Sequence, residues 1–438
     1  MTMPWMPDIY AATAAEILRI QGDLLQEAIS RAMRASPFYR ERLACSPDAT
    51  RVRAVADLAC LPLTSREEIQ GRNRDFWAAP REHLREVVAT TGTTGAPIYV
   101  AMTHADLERL GENERRGFSW LGAKPGDLFH VAITLDNLFV AGLAYLLGLQ
   151  RIGATTVRVG AQPARRHLDI MKQLRPSGMV AVPSLLLALA RQARLDGEEL
   201  AAFAPRRAML IGDAIRSQSL TSNTLGRLLE TTWGGELFST YGLTEAGLAF
   251  HECPARRGLH SHPDLVITEV VDDAGRAVGD GEIGELVITT LQVEGMPLIR
   301  YRTGDVTFRV PGDCPCRRGG ARIGPILGRK QHRLKVKGTT LYPKSIEDAL
   351  LAVDGVENFI IEAHTGEDGT DRLVVRVGAV RDDPGFRTLI DETLYARARV
   401  TPEVVLLPPG AVEQLLFEGG RRKPRVFIDL RKPQAGSG

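Results

Sequence analysis

Residues 178–195 read GMVAVPSLLLALARQARL. The first six form a short apolar run that suits a buried strand, and the next twelve place leucine and alanine at helical spacing. The same texture recurs on both sides. FHVAIT (129–134), ATTVRVG (154–160), RAMLIG (207–212) and ELFSTYG (236–242) read as strands, and HLDIMKQLR (167–175) reads as a further helix. Such alternation, from roughly residue 126 to 300, predicts an α/β body around a mostly parallel sheet. Upstream, Ile17, Leu18, Leu24, Leu25, Ile29 and Met33 recur at the spacing of an amphipathic helix.

The texture changes after GPILGR (324–329). HRLKVKG, NFIIEAH, DRLVVRVGAV and EVVLLP read as strands, whereas PKSIEDALLAV, opened by Pro343, and PGFRTLIDETLYARARV read as helices. Together they predict a compact α+β unit of about 110 residues, near the usual domain size. The expected division is residues 1–328 and residues 329–438.

A chain of 438 residues, 44% hydrophobic and 25% charged, can bury a large core in two or more domains. A net charge of +2 gives no electrostatic case for nucleic acid or an anionic membrane, so small-molecule partners are expected. The start MTMPWMPDIYAATAAEIL lacks a secretory pattern and no run reaches bilayer length, which by default predicts a cytoplasmic location. Five cysteines, odd in number and sparse, do not form a disulfide framework.

Residues 90–97, TTGTTGAP, follow Val87-Val88 and hold four threonines and two glycines. Glycine lets backbone N–H groups approach a ligand closely and threonine adds hydroxyl donors, a combination that suits phosphate oxygens. The stretch is not a Walker loop, because that spacing and its lysine are absent.

Four further stretches occur with it: IGDA (211–214), YGLTEAG (241–247), RYRTGD (300–305) and GRKQHRLKVKG (328–338). In this order and at these separations the set resembles the adenylate-forming superfamily, and within it the phenylacetate-coenzyme A ligase family. The resemblance runs from about residue 36, where SPFYRERL also fits. It implies a large N-terminal domain with mostly parallel sheets plus a small, mobile α+β C-terminal domain. It also implies a reaction in which a carboxylate attacks the α-phosphorus of ATP, and coenzyme A then displaces AMP from the acyl-adenylate. Charge gathers on phosphate oxygens, so electrostatic positioning is what such a site supplies.

Carried over by position, the resemblance places Thr90, Thr91, Gly92, Thr93, Thr94 and Gly95 around the β- and γ-phosphates, with Ala96 where the family usually has lysine. Glu245 would hold Mg²⁺, Thr244 would contact the α-phosphate, and Tyr241 beside Gly242 would lie against adenine, next to Gly212, Asp213 and Ala214. Asp305 would accept both ribose hydroxyls, and Arg329 would donate to the ribose. Gln331 replaces the family's usual hinge aspartate. The acid pocket would draw on Leu135, Asn137, Leu138, Phe139 and Ala141, apolar residues that suit an aromatic or arylacetic acid, with Asp136 able to recognise an amino or hydroxyl substituent. In GGRRKPRVFIDLR (419–431), Lys423 is the expected adenylation lysine, with Arg422 as the alternative.

HECPARRGLH and CPC place Cys253, His260, Cys314 and Cys316 in two clusters about sixty residues apart. Three thiolates and an imidazole are a recognised structural zinc set, and some family members carry a matching arrangement. His262 or His251 could stand in for His260. The expected cofactors and co-substrates are therefore ATP, Mg²⁺, coenzyme A and a structural Zn²⁺, with a homodimer left open. Delivery of the acyl group to an amine or carrier protein, or a non-catalytic adenylate sensor, are the alternatives.

Overall fold

The computed structural model describes residues 9–44, 51–90, 96–336, 339–366, 370–418 and 424–431. The chain divides into a large unit that reaches Ile326 and a smaller one that begins at Leu327 and takes in Asn223–Leu225. In the large unit, α1 (Ala14–Ala35) opens on a capping box in which Thr13 Oγ1 accepts from the Glu16 N–H and Glu16 accepts from the Thr13 N–H. It buries Ile17, Leu25 and Ile29, whereas Leu18, expected with them, is exposed, because it follows Ile17 directly and so turns off the buried stripe. After α2 (Pro37–Ala44) and α3 (Arg66–Gly71), strands β1 (Leu84–Ala89) and β2 (Tyr99–Thr103) pair antiparallel. Ala89 faces Tyr99, so the Thr/Gly stretch lies between the two strands in the chain.

Helix α4 (His104–Trp120) then leads into the main sheet: β3 (Leu128–Val131), α5 (Val140–Ile152), β4 (Thr155–Arg158), α6 (Ala164–Leu174), β5 (Gly178–Ala181), α7 (Pro183–Leu195), β6 (Arg207–Leu210) and β7 (Glu236–Leu243). The strands lie in the order β7-β6-β5-β3-β4, all parallel. In register, Val131, Val180, Met209 and Phe238 form one row across the sheet. That row packs on Phe118 of α4 and on Tyr145 and Leu149 of α5. Burying each such side chain stabilises the fold by about 2 kcal/mol. The neighbouring register row, His130, Met179, Ala208 and Leu237, points to the opposite face and is also buried, which is why these strands read as unbroken apolar runs.

The alternation expected to about residue 300 stops at Leu243. There the chain turns back into β8 (Leu248–Glu252), antiparallel to β7, followed by β9 (Leu259–His260). Next come β10 (Val266–Val271), β11 (Ile283–Thr290) and β12 (Tyr301–Phe308), an antiparallel series, and β13 (Arg322–Ile323), which pairs with β9. Antiparallel strands close through short turns and need no crossover helix, so short apolar runs without intervening helices mark the change.

In the smaller unit four strands lie in the order 403–407, 371–379, 356–365, 427–429. Helices Pro343–Leu350 and Pro384–Ala398 cover one face through Ile346, Leu350, Phe386, Ile390 and Leu394. Helix Pro409–Leu416 covers the other through Val412 and Leu416 against Ile360. That helix and the strand Phe427–Asp429 escaped the sequence reading. The strand pairs parallel with Ile361–Ala363, which places Phe427, Ile428 and Asp429 at the sheet edge, while the Val426 carbonyl accepts from the Ile361 N–H and the Arg425 N–H donates to the Leu416 carbonyl.

Candidate active site

The turn between β7 and β8 carries Thr244 and Glu245 at its tip, and Gly247 within it has φ +54. A Cβ on Gly247 would stand 2.9 Å from Met102 Cε, so glycine suits both the backbone and the space. Beneath the turn, Arg109 is buried and donates to the carbonyls of Ala246 (3.2 Å), Gly247 (2.9 Å), Leu265 (2.7 Å) and Leu291 (2.9 Å). Four carbonyls on three segments thus hold the turn to α4.

Glu245 is buried, and its Oε1 accepts from the Tyr301 hydroxyl at 2.7 Å and from Arg66 Nη1 at 3.0 Å. Burial first, and then the Glu245 charge, push the Tyr301 phenol well above its ordinary range, so it remains a neutral donor. Arg66 Nη2 donates to Thr90 Oγ1 at 3.1 Å, and that oxygen also accepts from the Ile98 N–H at 3.0 Å. On the other side of the turn, the Tyr241 hydroxyl donates to Asp305 Oδ2 at 2.6 Å, and the Asp305 N–H donates to Thr303 Oγ1. Residues about 90, 241–245 and 301–305 are therefore brought together, although they lie far apart in the chain.

Arg66, Arg109 and Tyr301 were not anticipated. Tyr301 sat inside a quoted motif that was read for its aspartate. Arg66 opens a six-residue helix capped by Ser65 and Glu68, and an arginine in that place carries no chemical signature of its own.

Gly212 and Asp213 are exposed and Ala214 half-buried, in a loop that leaves β6 with Gly212 at φ +93. Just beyond, Arg216 Nε donates to Glu252 (2.9 Å), Nη1 to Ser222 (2.6 Å) and Glu230 (2.9 Å), and Nη2 to the Leu237 carbonyl (3.1 Å) and Glu252 (3.3 Å). All five donors of the guanidinium are committed to fixing that loop. Asp136, Asn137 and Leu138 are exposed ahead of α5, while Phe139 and Ala141 are half-buried against the core of the parallel sheet. Asn137 and Leu138 both have positive φ, 55 and 59, and the Leu138 carbonyl accepts from the Ala89 N–H at 2.9 Å. Leucine rarely adopts that conformation, so the segment is held beside β1 at some conformational cost. Thr134 Oγ1 hydrogen-bonds to Asp136. Gly242 is exposed on β7, and Arg329 lies in the short strand Gly328–Arg329 of the smaller unit. Residues 91–95, Arg422 and Lys423 lie outside the described residues.

Cys253, His260, Cys314 and Cys316 present ligand atoms that all lie within 4.8 Å of one another. Cys253 Sγ and Cys314 Sγ are 3.6 Å apart, and Cys316 Sγ and His260 Nε2 are 3.5 Å apart. A tetrahedral zinc with ordinary bond lengths separates two sulfurs by about 3.8 Å and a sulfur from a nitrogen by about 3.6 Å, so the four groups fit that ion. Burial lowers His260 to about 3, which keeps the imidazole neutral, the form that ligates. Burial also pushes the Cys253 thiol up to about 12, a tendency that a bound dication reverses. His251 and His262 belong to another network. They hydrogen-bond to each other at 3.0 Å, His251 to Glu114 at 3.1 Å, and His262 to Tyr10.

The AMP-binding enzyme family matches residues 39–295. A phenylacetate-coenzyme A ligase of Thermus thermophilus is 32% identical, over 98% of this chain and 100% of its own length. The chain belongs to the phenylacetate-coenzyme A ligase family. An Escherichia coli phenylacetate-coenzyme A ligase is 28% identical over 78% of both chains. Among solved structures, a 2-hydroxyisobutyryl-CoA ligase in complex with an adenylate shares the fold, with a TM-score of 0.85 and 22% identity over 97% of this chain and 92% of that one. A benzoate CoA ligase from Burkholderia xenovorans LB400 shares it over 75% of this chain and 66% of its own, with a TM-score of 0.56 and 20% identity. The match to residues 39–295 takes in Arg66, Thr90 and the 241–245 turn, but Asp305 and the second half of the cysteine cluster lie beyond it.

Proposed function

We propose that this chain joins an aromatic or arylacetic acid to coenzyme A through an acyl-adenylate made from ATP. The meeting of Tyr241, Glu245, Arg66, Thr90 and Asp305 carries the reading, because it gathers donors and carboxylates suited to each part of a nucleotide. A carboxylate oxygen of the acid attacks the α-phosphorus, the bond from that phosphorus to the bridging oxygen breaks, and pyrophosphate leaves with the electron pair. The coenzyme A thiol then gives up its proton, attacks the acyl carbon and displaces AMP.

In this scheme Asp305 accepts the ribose hydroxyls, a task that suits the two oxygens of one carboxylate. Its bond to Tyr241 fixes the phenol ring beside the adenine loop 212–214. Thr244, at the tip of the turn, donates to the α-phosphate. Glu245 supplies a hard oxygen ligand suited to Mg²⁺, which when bound neutralises phosphate charge. Residues 90–95 cradle the outer phosphates, and Arg329 contributes from the smaller unit, which acts as a mobile lid. Lys423, or failing it Arg422, donates to the α-phosphate during adenylation only. Leu138, Phe139 and Ala141 line the acid pocket, where Asp136 favours a hydroxyl or amino substituent over an unsubstituted ring. Cys253, His260, Cys314 and Cys316 hold a structural zinc whose coordination they complete. The enzyme works in the cytoplasm.

Exchange of labelled pyrophosphate into ATP, measured across a panel of carboxylic acids, tests the first half-reaction, and thioester formation on adding coenzyme A tests the second. Exchange with arylacetic acids followed by thioester is the expected result. Exchange without thioester would move the acceptor to an amine or carrier protein, and no exchange with any acid would remove the ligase reading.

A further inference from the structure

The phosphate stretch TTGTTGAP contains no cation, yet it is to face the most highly charged part of the nucleotide. A phosphate loop of backbone N–H groups and hydroxyls binds charge by dipoles alone, and a fixed cation adds charge-assisted bonds of about twice the strength. Position 96, next to the second glycine, is alanine, and the Ala96 carbonyl accepts from Gln70 Nε2 at 2.6 Å. Gln70 and Arg66 lie one turn apart on α3. The helix that braces one end of the stretch thus brings a guanidinium to the other end, at Thr90.

Half-buried Arg66 is bonded differently from two buried arginines that pair with carboxylates. Arg116 grips Asp264 with Nη1 and Nη2 at 2.6 and 2.8 Å, and Arg300 grips Glu269 with Nε and Nη2 at 3.1 and 2.8 Å. Those are two-pronged pairs in which both carboxylate oxygens are used, the optimum for a structural ion pair. Arg66 instead gives one N–H to Glu245 Oε1, turns its other terminal nitrogen to Thr90 and also bonds to the Tyr301 hydroxyl, and its buried Nε has no hydrogen-bond partner among the described residues. Tyr301 holds the same Glu245 oxygen, so that carboxylate keeps a donor when Arg66 lets go of it. A splayed, incompletely bonded guanidinium between a magnesium-type carboxylate and the base of a phosphate loop is placed to receive phosphate.

Resting on the ligase reading above, we propose that Arg66 binds the β- and γ-phosphates of ATP in place of the lysine that position 96 lacks. On nucleotide entry its Nη1 exchanges Glu245 for phosphate oxygen, which releases Glu245 for the metal that accompanies the nucleotide. In the adenylation step the bond between the α-phosphorus and the bridging oxygen breaks, and Arg66 stabilises the charge that moves onto pyrophosphate. A planar fork suits this task, because it can meet two phosphate oxygens at once.

Titration calorimetry on the full chain, with MgATP, magnesium pyrophosphate and AMP as separate ligands, tests the assignment. Arg66→Ala is expected to weaken ATP and pyrophosphate by about 10- to 100-fold, the size of one or two lost charge-assisted bonds, and to leave AMP within about twofold. Arg66→Lys should recover part of the loss. Adding Ala96→Lys to Arg66→Ala should recover at least about tenfold, since it supplies a cation from the loop itself. Arg66→Gln gives the same reading should alanine unfold the chain. Equal weakening of AMP and ATP would show that Arg66 only shapes the site through Glu245, and unchanged ATP affinity would remove it from the site; either overturns the proposal. Failure of the unmodified chain to bind ATP or AMP at all would instead sink the ligase reading, and this proposal with it.

Discussion

The cysteine cluster and the Glu245 site lie in the same unit, but they meet a cation in different ways. Around Cys253, His260, Cys314 and Cys316 the four ligand atoms stand at mutual distances near those of a zinc tetrahedron, and the one arginine that bonds to them, Arg318, reaches only Cys316 among the described residues. At Glu245 the carboxylate is already engaged by Arg66 and Tyr301. A structural ion site gains from donors fixed before the ion arrives, since binding free energy is then folding free energy. A catalytic site gains from a resident protein cation that keeps a buried carboxylate compensated between turnovers and yields it when the nucleotide arrives. Changes at the first should therefore appear in metal content and melting temperature, and changes at the second in nucleotide affinity and rate.

The largest expected effect is on the catalytic side. Asp305→Ala removes the proposed ribose acceptor and the partner of Tyr241, and should cost adenylation roughly 2 to 4 kcal/mol, some 30- to 1000-fold in pyrophosphate exchange. Bound zinc and far-ultraviolet circular dichroism should stay unchanged. Near-normal exchange in the folded variant would remove Asp305 from the site. On the cluster side, the purified protein should carry about one equivalent of zinc per chain, and Cys314→Ser should lose most of it and melt roughly 5 °C lower. Metal-free wild-type protein of equal melting temperature would dissolve the contrast between the two regions.

The parallel sheet was legible because its strands are buried on both faces and separated by helices, so each apolar run stands alone in the sequence. From Leu248 to Ile323 the strands follow one another through turns, and the motifs there drew the reading toward chemistry rather than pairing. The small unit's edge strand, Phe427–Asp429, is three residues long and had been read only as a tail motif. Tyr241, Glu245, Asp305 and the Cys/His set could be placed because their spacing resembles a family pattern. Arg66 could not be, because its place in the site depends on two partners 24 and 179 residues away, and no local pattern records such contacts. Arg109 and Arg216 were missed for the same reason: buried arginines that donate to backbone carbonyls or scattered carboxylates have no motif.

A smaller effect should separate positioning from ligation at Glu245. Tyr301→Phe keeps the ring packing and removes one hydrogen bond to a carboxylate, so the apparent affinity for MgATP should fall by roughly 5- to 20-fold, with AMP affinity unchanged. An equal loss for AMP would mean that Tyr301 supports the turn as a whole rather than its carboxylate.

The smallest expected effect concerns histidines that are neutral for lack of solvent, without any donor role toward a metal. His130 on β3 and His167 on α6 are both fully buried, and His130 Nε2 meets His167 Nδ1 at 2.7 Å. Burial, and then the neighbouring imidazole, lower His130 to about 3, and burial lowers His167 to about 4. In the unfolded chain both take a proton near pH 6.5. Below that pH the unfolded state binds protons that the folded state refuses, so stability is complete above about 6.5 and is lost as pH falls toward the folded values of about 4 and about 3. Each histidine contributes at most about 1.4 kcal/mol per pH unit to that slope, and the pair up to about twice that, because the unfolded rings take protons independently while opposition between the touching rings helps to keep the folded pair neutral. Urea unfolding at about pH 7.5 and about pH 6.3 should thus show a loss for the wild type that exceeds the loss for His130→Leu/His167→Leu by about 1 kcal/mol. Carboxylates that titrate in the same range are common to both proteins and cancel. Parallel pH slopes in the two proteins would mean that water or another donor reaches the pair, and that burial alone does not hold these histidines neutral.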